Sequence, residues 1–327
     1  MPLLEVDSLT IEYWTKRGKI RAVNNLSFTL EKGETLGLVG ESGSGKSTLG
    51  LSIIRLVPSP GVIVSGHIRI DGTDILGLSD EEMRSLRGKK IGLVFQDPMT
   101  SLNPVKKVGA HFIELIRAHE SEIGEREALE RTEKALNDVG ILSERINDYP
   151  HQFSGGMQQR IMIALAIALN PDLVIADEPT TALDVIVQAK ILDLLNDLRD
   201  MYGMALILIT HDLSIVLERC DKILVMYAGS LVEYADSGEL YRNPRHPYTR
   251  GLLRSIPNIE LAEQKLEAIP GVPPNLLNPP KGCRFSSRCS IASKECWVEE
   301  PSIVESSPGH FVRCFREERN LEHSYDH

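Results

Sequence analysis

The sequence predicts an α/β fold with a core of parallel strands and connecting helices, an antiparallel sheet ahead of it, a helical stretch within it and a small loop-rich domain behind it. Three observations carry this expectation. Short apolar runs at Thr35–Val39, Leu173–Ala176 and Ala205–Thr210 read as strands buried on both faces, separated by helical patterns. From about Pro98 to Leu169 the pattern is helical, with breaks at Gly124 and Pro150. After about Tyr234 prolines accumulate at 244, 247, 257, 270, 273, 274, 279 and 280, a texture that continues neither helix nor strand.

Each element follows in order. The first thirty residues alternate, with Leu9, Ile11 and Tyr13 on one face of one strand and Leu26, Phe28 and Leu30 on one face of another, as half-buried antiparallel strands do. Thr35–Val39 then runs straight into a glycine-rich loop and a helix that starts near Lys46. Residues 65–78 read as a hairpin turning at Asp71-Gly72. In the helical stretch, Glu125 to Lys134 form a charged face. An amphipathic helix through Ile191, Leu194, Leu195 and Leu198 separates the last two buried strands. The expected division is therefore residues 1–234, with the helical part at about 98–169, and an extension at 235–327.

The bulk properties narrow the function. At 327 residues, 42% hydrophobic and 25% charged, the chain has room for one large domain and a smaller one. A net charge of -10 argues against binding nucleic acid through phosphate neutralisation. No run reaches the about 18 apolar residues of a membrane helix, since Ile161 to Leu169 stops at Asn170-Pro171-Asp172. The start, MPLLEVDSLTIEYW, lacks the parts of a signal peptide, so the cytoplasm is the expected address.

Gly40-Glu41-Ser42-Gly43-Ser44-Gly45-Lys46-Ser47 fits G-x-x-x-x-G-K-[ST] in the strand-to-helix context the motif requires. Glycines let backbone N–H groups turn toward phosphate oxygens, and the helix N-terminus adds a favourable dipole. Gly40, Ser42, Gly43, Ser44, Gly45, Lys46, Ser47 and Thr48 are the candidate nucleotide-binding residues, with Lys46 on the β and γ phosphates and the Ser47 hydroxyl on magnesium. Asp177 and Glu178 close the buried strand Leu173–Ala176, where parallel sheets gather ligands. Asp177 is expected to serve magnesium through a water, and Glu178 to polarise the water that attacks the γ-phosphate.

At Phe153-Ser154-Gly155-Gly156-Met157-Gln158-Gln159-Arg160 the sequence resembles the signature segment of ATP-binding cassette (ABC) ATPases, a P-loop NTPase family. Gln96, Leu183-Asp184 and His211 then occur in that family's order. The resemblance implies a head-to-tail dimer in which Ser154, Gly155 and Gly156 close over ATP held by the partner's phosphate loop. It further implies that Gln96 touches both magnesium and the membrane subunits, that His211 contacts the γ-phosphate or orients Glu178, and that Asp184 communicates across the dimer. Tyr13 is the candidate for stacking on adenine, with Trp14 its rival. Phe153 and Met157 depart from the family, which commonly has Leu and Gln there.

Arg242-Asn243-Pro244-Arg245-His246-Pro247-Tyr248-Thr249-Arg250-Gly251-Leu252-Leu253 looks like the segment that follows the cassette in oligopeptide and dipeptide importer ATPases. Cys283, Cys289, Cys296 and Cys314, spaced C-x5-C-x6-C-x17-C, match that subfamily's cysteine-bearing tail. This spacing is neither a tight zinc knuckle nor the common ferredoxin run, and a cytoplasmic address disfavours disulfides. The resemblance implies a [4Fe-4S] cluster on these four residues, with zinc as the alternative and structural thiols as the third choice. His310 is expected to cap the loop before Cys314, and Cys220 to be a buried small hydrophobe.

As a whole the resemblance implies an ATPase subunit that energises import of di- or oligopeptides. Its implied partners are a second cassette, two transmembrane permease subunits and an extracellular substrate-binding protein, with the chain at the cytoplasmic face of the membrane. Import of oligosaccharides or nickel is the alternative within the subfamily. A cassette ATPase of translation or DNA repair is the alternative from another class, and the chain lacks the second cassette or the long insertion those carry.

Overall fold

The computed structural model describes residues 1–97, 101–181, 183–256 and 268–319. The expected start of the helical stretch at Pro98, and Pro257 of the proline-rich segment, lie outside them. The strands are β1 (Leu4–Thr15), β2 (Gly18–Leu30), β3 (Thr35–Val39), β4 (Gly61–Ile70), β5 (Thr73–Asp74), β6 (Ile91–Val94), β7 (Leu173–Asp177), β8 (Ala205–Thr210), β9 (Lys222–Tyr227), β10 (Ser230–Asp236), β11 (Val304–Ser307) and β12 (His310–Val312). The helices are α1 (Lys46–Ile53), α2 (Asp80–Leu86), α3 (Val108–His119), α4 (Glu125–Asp138), α5 (Gly155–Ile167), α6 (Val185–Tyr202), α7 (Leu213–Arg219), α8 (Ser237–Arg242) and α9 (Pro247–Arg254).

The chain divides into two compact units. The first comprises Met1–Leu4, Leu30–Glu34 and Arg69–Ile209. Here β6 pairs parallel with β7 from Ile91↔Leu173, and β7 parallel with β8 from Leu173↔Ala205. The burial of β7 and β8 on both faces explains their continuous apolar runs. The turn from β4 to β5 has φ 47° at Asp71 and φ 79° at Gly72, the pair of positive φ values that a type I′ hairpin needs. Helix α3 buries Val108, Phe112 and Ile116, and α4 buries Ala128, Thr132, Ala135 and Leu136, each at the spacing of one helical face. Helix α6 starts on Asp184, whose carboxylate accepts from the Val187 N–H at 2.9 Å, and stops at left-handed Gly203.

The second unit comprises Glu5–Thr29, Thr35–Ile68 and Thr210–His327. Strands β2, β1 and β4 form the expected antiparallel sheet, with Leu9, Ile11, Leu26, Phe28 and Ile68 buried. Strand β3 lies parallel to β9, in register from Leu36↔Lys222 to Val39↔Val225. Antiparallel pairing continues from β9 to β10, from β10 to β12 and from β12 to β11. The tail thus adds a hairpin to the edge of β10, with Glu233 opposite Val312.

Beside that edge the expectation for His310 is corrected. Its ring is fully buried, and Nε2 sits 2.7 Å from Oε1 of the equally buried Glu233 rather than capping the loop before Cys314. Glu233 also accepts the backbone N–H groups of Arg245 at 2.7 Å and His246 at 2.9 Å. Burial alone would push this carboxyl up, but the bonds from His310 and the two amides hold it below the ordinary carboxylate value.

Candidate functional site

The phosphate loop leaves β3 at Gly40 and enters α1 at Lys46. Gly40, Gly43 and Gly45 have φ values of 157°, 75° and 101°. At Gly40 an added Cβ would stand 2.1 Å from the Met226 carbonyl oxygen, and at Gly45 2.1 Å from that of Ala22, so backbone contact as well as φ demands glycine. Lys46 is buried, and its ammonium donates to the carbonyls of Gly40 at 2.7 Å and Glu41 at 3.1 Å. Ser42 and Ser47 are exposed, Ser44 is buried, and Thr48 Oγ1 lies 3.2 Å from the Tyr13 hydroxyl. Tyr13 is half-buried against Gly61, whereas Trp14 is 50% exposed with Lys19 4.8 Å above its ring.

In the first unit, Asp177 ends β7 and Glu178 follows with φ 45°, in the left-handed region that a glutamate seldom occupies. Its amide donates to the Ile209 carbonyl at 2.9 Å, which fixes the turn. One carboxylate oxygen accepts from Gln96 Nε2 at 3.1 Å and from Thr181 Oγ1 at 3.0 Å. Two sequence candidates separated by 82 positions are thereby joined. Strand β6 ends at Val94, and Phe95, 46% exposed, follows it beside Gln96.

The signature segment opens α5. Ser154 is exposed at the N-cap and makes no side-chain cap bond, which leaves its hydroxyl and the first helical N–H groups available to a ligand. Gly155 and Gly156 face Leu183 and Val187, and an added Cβ at Gly156 would meet Val187 Cγ1 at 2.8 Å. The signature and the Asp184 turn are therefore neighbours, and the glycines allow their approach. Buried Gln158 donates to the carbonyls of Pro150 at 2.8 Å and Phe153 at 3.1 Å, holding the segment from behind. Both departures from the family pattern meet one side chain, since Arg145 lies 3.9 Å over the Phe153 ring and 3.8 Å from Met157 Sδ.

His211 stands exposed after β8, at the turn where Asp212 caps α7. Cys220 is buried, as expected, and lies beside Gly37 of β3.

In the tail, Cys283, Cys289, Cys296 and Cys314 line one cavity with Phe285, Ile291 and Pro301. Burial pushes the Cys283 thiol up to about 12, reinforced by the other three sulfurs, and burial also raises Cys289 and Cys314. Among the described residues no three His, Cys, Asp or Glu side chains are grouped to hold a metal ion.

The geometry has close counterparts. The ABC transporter family matches residues 23–181, and the oligopeptide/dipeptide transporter C-terminal region matches 232–296. Over 315 residues the chain is 49% identical to the oligopeptide transport ATP-binding protein OppD of Bacillus subtilis, covering 95% of this chain and 88% of that protein. It is 44% identical over 317 residues to the dipeptide transport ATP-binding protein DppD of Escherichia coli, covering 96% of each. The dimeric ATP-binding cassette MJ0796, in a post-hydrolysis state bound to ADP and Pi, superposes with a TM-score of 0.64 at 30% identity, over 72% of this chain and 98% of that one. CbiO1 from Clostridium perfringens gives 0.64 at 28% identity, over 74% and 91%.

The chain belongs to the ABC transporter ATPases, in the branch that carries the oligopeptide/dipeptide C-terminal region. It binds and hydrolyses ATP.

Proposed function

We propose that the chain energises the import of di- or oligopeptides by hydrolysing ATP, with Glu178 orienting and activating the attacking water. One observation carries the chemistry: a carboxylate on a left-handed residue at the end of a buried strand, held by Gln96 and Thr181. Strain of this kind costs about 1–3 kcal/mol, persists only where the surroundings impose it, and gathers at active sites. Lys46, fixed by the loop carbonyls, is placed for the β and γ phosphates, within a loop whose glycines expose backbone donors. Ser47, Asp177 and the Gln96 amide oxygen are hard donors that suit magnesium, which when bound neutralises phosphate charge. Tyr13, tied to Thr48 on α1, is the residue for adenine.

The open helix end at Ser154, Gly155 and Gly156 serves a nucleotide held by a second cassette. Asp184, adjoining the signature, senses that partner, and His211 acts on the γ-phosphate or on Glu178. Residues 1–234 then form the nucleotide-binding domain, with its helical part at about 98–169, and 235–327 the extension. Two permease subunits supply the spans and an extracellular binding protein supplies the cargo; among the described residues no helix is long and apolar enough to cross a membrane. Peptide cargo is supported by relatives that transport oligopeptides or dipeptides and align with 95% or more of the chain. ATP-driven uptake of a labelled peptide by vesicles holding the chain with its permease tests this reading.

For the tail we infer a [4Fe-4S] cluster. Four thiols around one cavity supply its ligand count, and a cubane spreads its ligands over four corners, farther apart than the coordination sphere of a single zinc ion. The raised thiols must lose their protons on loading, so assembly is pH-dependent. Protein purified without oxygen is expected to contain iron and acid-labile sulfide and to lose both in Cys283→Ser. Zinc in their place selects the alternative, and absence of any metal from anaerobic protein contradicts the cluster.

A further inference from the structure

Two tail features take no part in the chemistry above: the His246-Pro247-Tyr248 segment, and the turn Ser286–Arg288 between two cysteines. Both end on Glu41, the second residue of the phosphate loop. The Tyr248 hydroxyl accepts the Glu41 backbone N–H at 3.0 Å. Arg288 Nη1 donates to Glu41 Oε2 at 2.9 Å and reaches the Tyr227 hydroxyl at 3.2 Å. Its other nitrogens bind the carbonyls of Pro270 at 2.8 Å and Ile269 at 3.3 Å, so the guanidinium is clamped before it meets the loop.

The support behind these two contacts is rigid. Tyr248 is fully buried, and the Arg288 side chain is 5% exposed. The rings of Tyr227, Tyr248 and Phe285 pack together in tilted and edge-to-face pairs at centroid distances of 4.7, 5.2 and 5.4 Å. His246 caps α9 by accepting the Tyr248 N–H at 3.1 Å through its ring Nδ1, while its backbone N–H donates to Glu233.

Resting on the reading that this loop holds the ATP phosphates, we propose that Tyr248 and Arg288 are positioning residues for ATP. A loop with three positive-φ glycines has many alternative shapes, and anchoring Glu41 at its amide and its carboxylate removes a share of them before the nucleotide arrives. The same residue's carbonyl holds Lys46 at 3.1 Å, so the anchor passes to the phosphate-binding ammonium through one peptide unit. Arg288 also pairs a carboxylate that would otherwise repel a triphosphate. The His-Pro-Tyr segment is thus the latch by which the tail sets the phosphate loop, and Cys289, next to Arg288, links the thiol cavity to the same latch.

The test uses the full chain and MgATP, with Tyr248→Phe, Arg288→Gln, Glu41→Gln and the Arg288→Gln/Glu41→Gln double variant. Tyr248→Phe and Arg288→Gln are expected to raise the ATP KM and the equilibrium Kd by about tenfold, as loss of a bond at a charged or preorganising group does, with kcat within about twofold of wild type. The double variant is expected to bind ATP more tightly than Arg288→Gln alone, because the uncompensated carboxylate is gone. A lower melting temperature with unchanged KM and Kd would reduce both residues to packing, and additive effects in the cycle would remove the Arg288–Glu41 coupling. Lys46→Ala is measured alongside. If it binds ATP as wild type does, the loop is not the nucleotide site and the underlying reading fails; if it loses ATP while Tyr248→Phe and Arg288→Gln do not, only the latch fails.

Discussion

Glu178→Gln is expected to lower steady-state ATP turnover by about 10²–10⁴-fold, the range lost with a positioned general base, while MgATP still binds. The substitution keeps the volume of the side chain and an oxygen that can accept from Gln96 and Thr181, so the left-handed turn at the end of β7 has every reason to survive. What it removes is the negative charge and basicity that draw the proton from the attacking water. With phosphates bound and chemistry blocked, the closed pair of cassettes should accumulate, visible as an ATP-dependent dimer by size-exclusion chromatography. Wild-type turnover in this variant would take the catalytic role away from Glu178.

The second large effect concerns the attachment of the tail. Glu233→Ala is expected to cost about 3–5 kcal/mol of stability, because it leaves His310 and the N–H groups of Arg245 and His246 buried without their shared acceptor. The site also makes stability depend on pH. Burial lowers the His246 pKa to about 4, against an ordinary 6.5, with Glu233 opposing and Arg250 adding to the shift. The folded ring is therefore neutral at a pH where the unfolded ring takes up a proton.

A lowered histidine contributes in full above about pH 6.5, and its contribution shrinks to nothing as pH falls to about 4, a change of about 3 kcal/mol. Glu233, also lowered, acts in the same direction: its contribution is present above the ordinary carboxylate value and is lost as pH falls through its folded value. Denaturant midpoints measured from pH 8 to pH 4 should fall steadily below pH 6.5 in wild type. Glu233→Ala should already start lower at pH 7. An unchanged midpoint in that variant at pH 7 would show that the tail is held elsewhere.

The parts of this molecule that could be read from sequence are those where one physical demand dominates a short segment. Continuous apolar runs forced β3, β7 and β8, and Asp71-Gly72 forced its hairpin. The phosphate loop was legible because Gly40 and Gly45 answer both to φ and to carbonyls 2.1 Å from any Cβ, and Gly43 to φ. Long-range side-chain contacts were not. Nothing local distinguishes Glu41 as the anchor for a tyrosine 207 positions away and an arginine 247 positions away. His310 looked like a loop cap because its partner, Glu233, lies 77 residues upstream on another strand. The left-handed backbone at Glu178 was likewise hidden, since propensity argues against glutamate there and the bond from its amide to Ile209 of β8, which holds the turn, is not visible in the sequence.

The central claim, that ATP hydrolysis on this chain drives peptide import, is tested most directly in vesicles that contain the chain, its two permease subunits and the external binding protein, with MgATP on the chain's side. The account predicts ATP-dependent accumulation of a labelled oligopeptide inside wild-type vesicles, and none with Glu178→Gln. Peptide accumulation that proceeds equally with Glu178→Gln, or hydrolysis by wild type that never moves peptide, would contradict it.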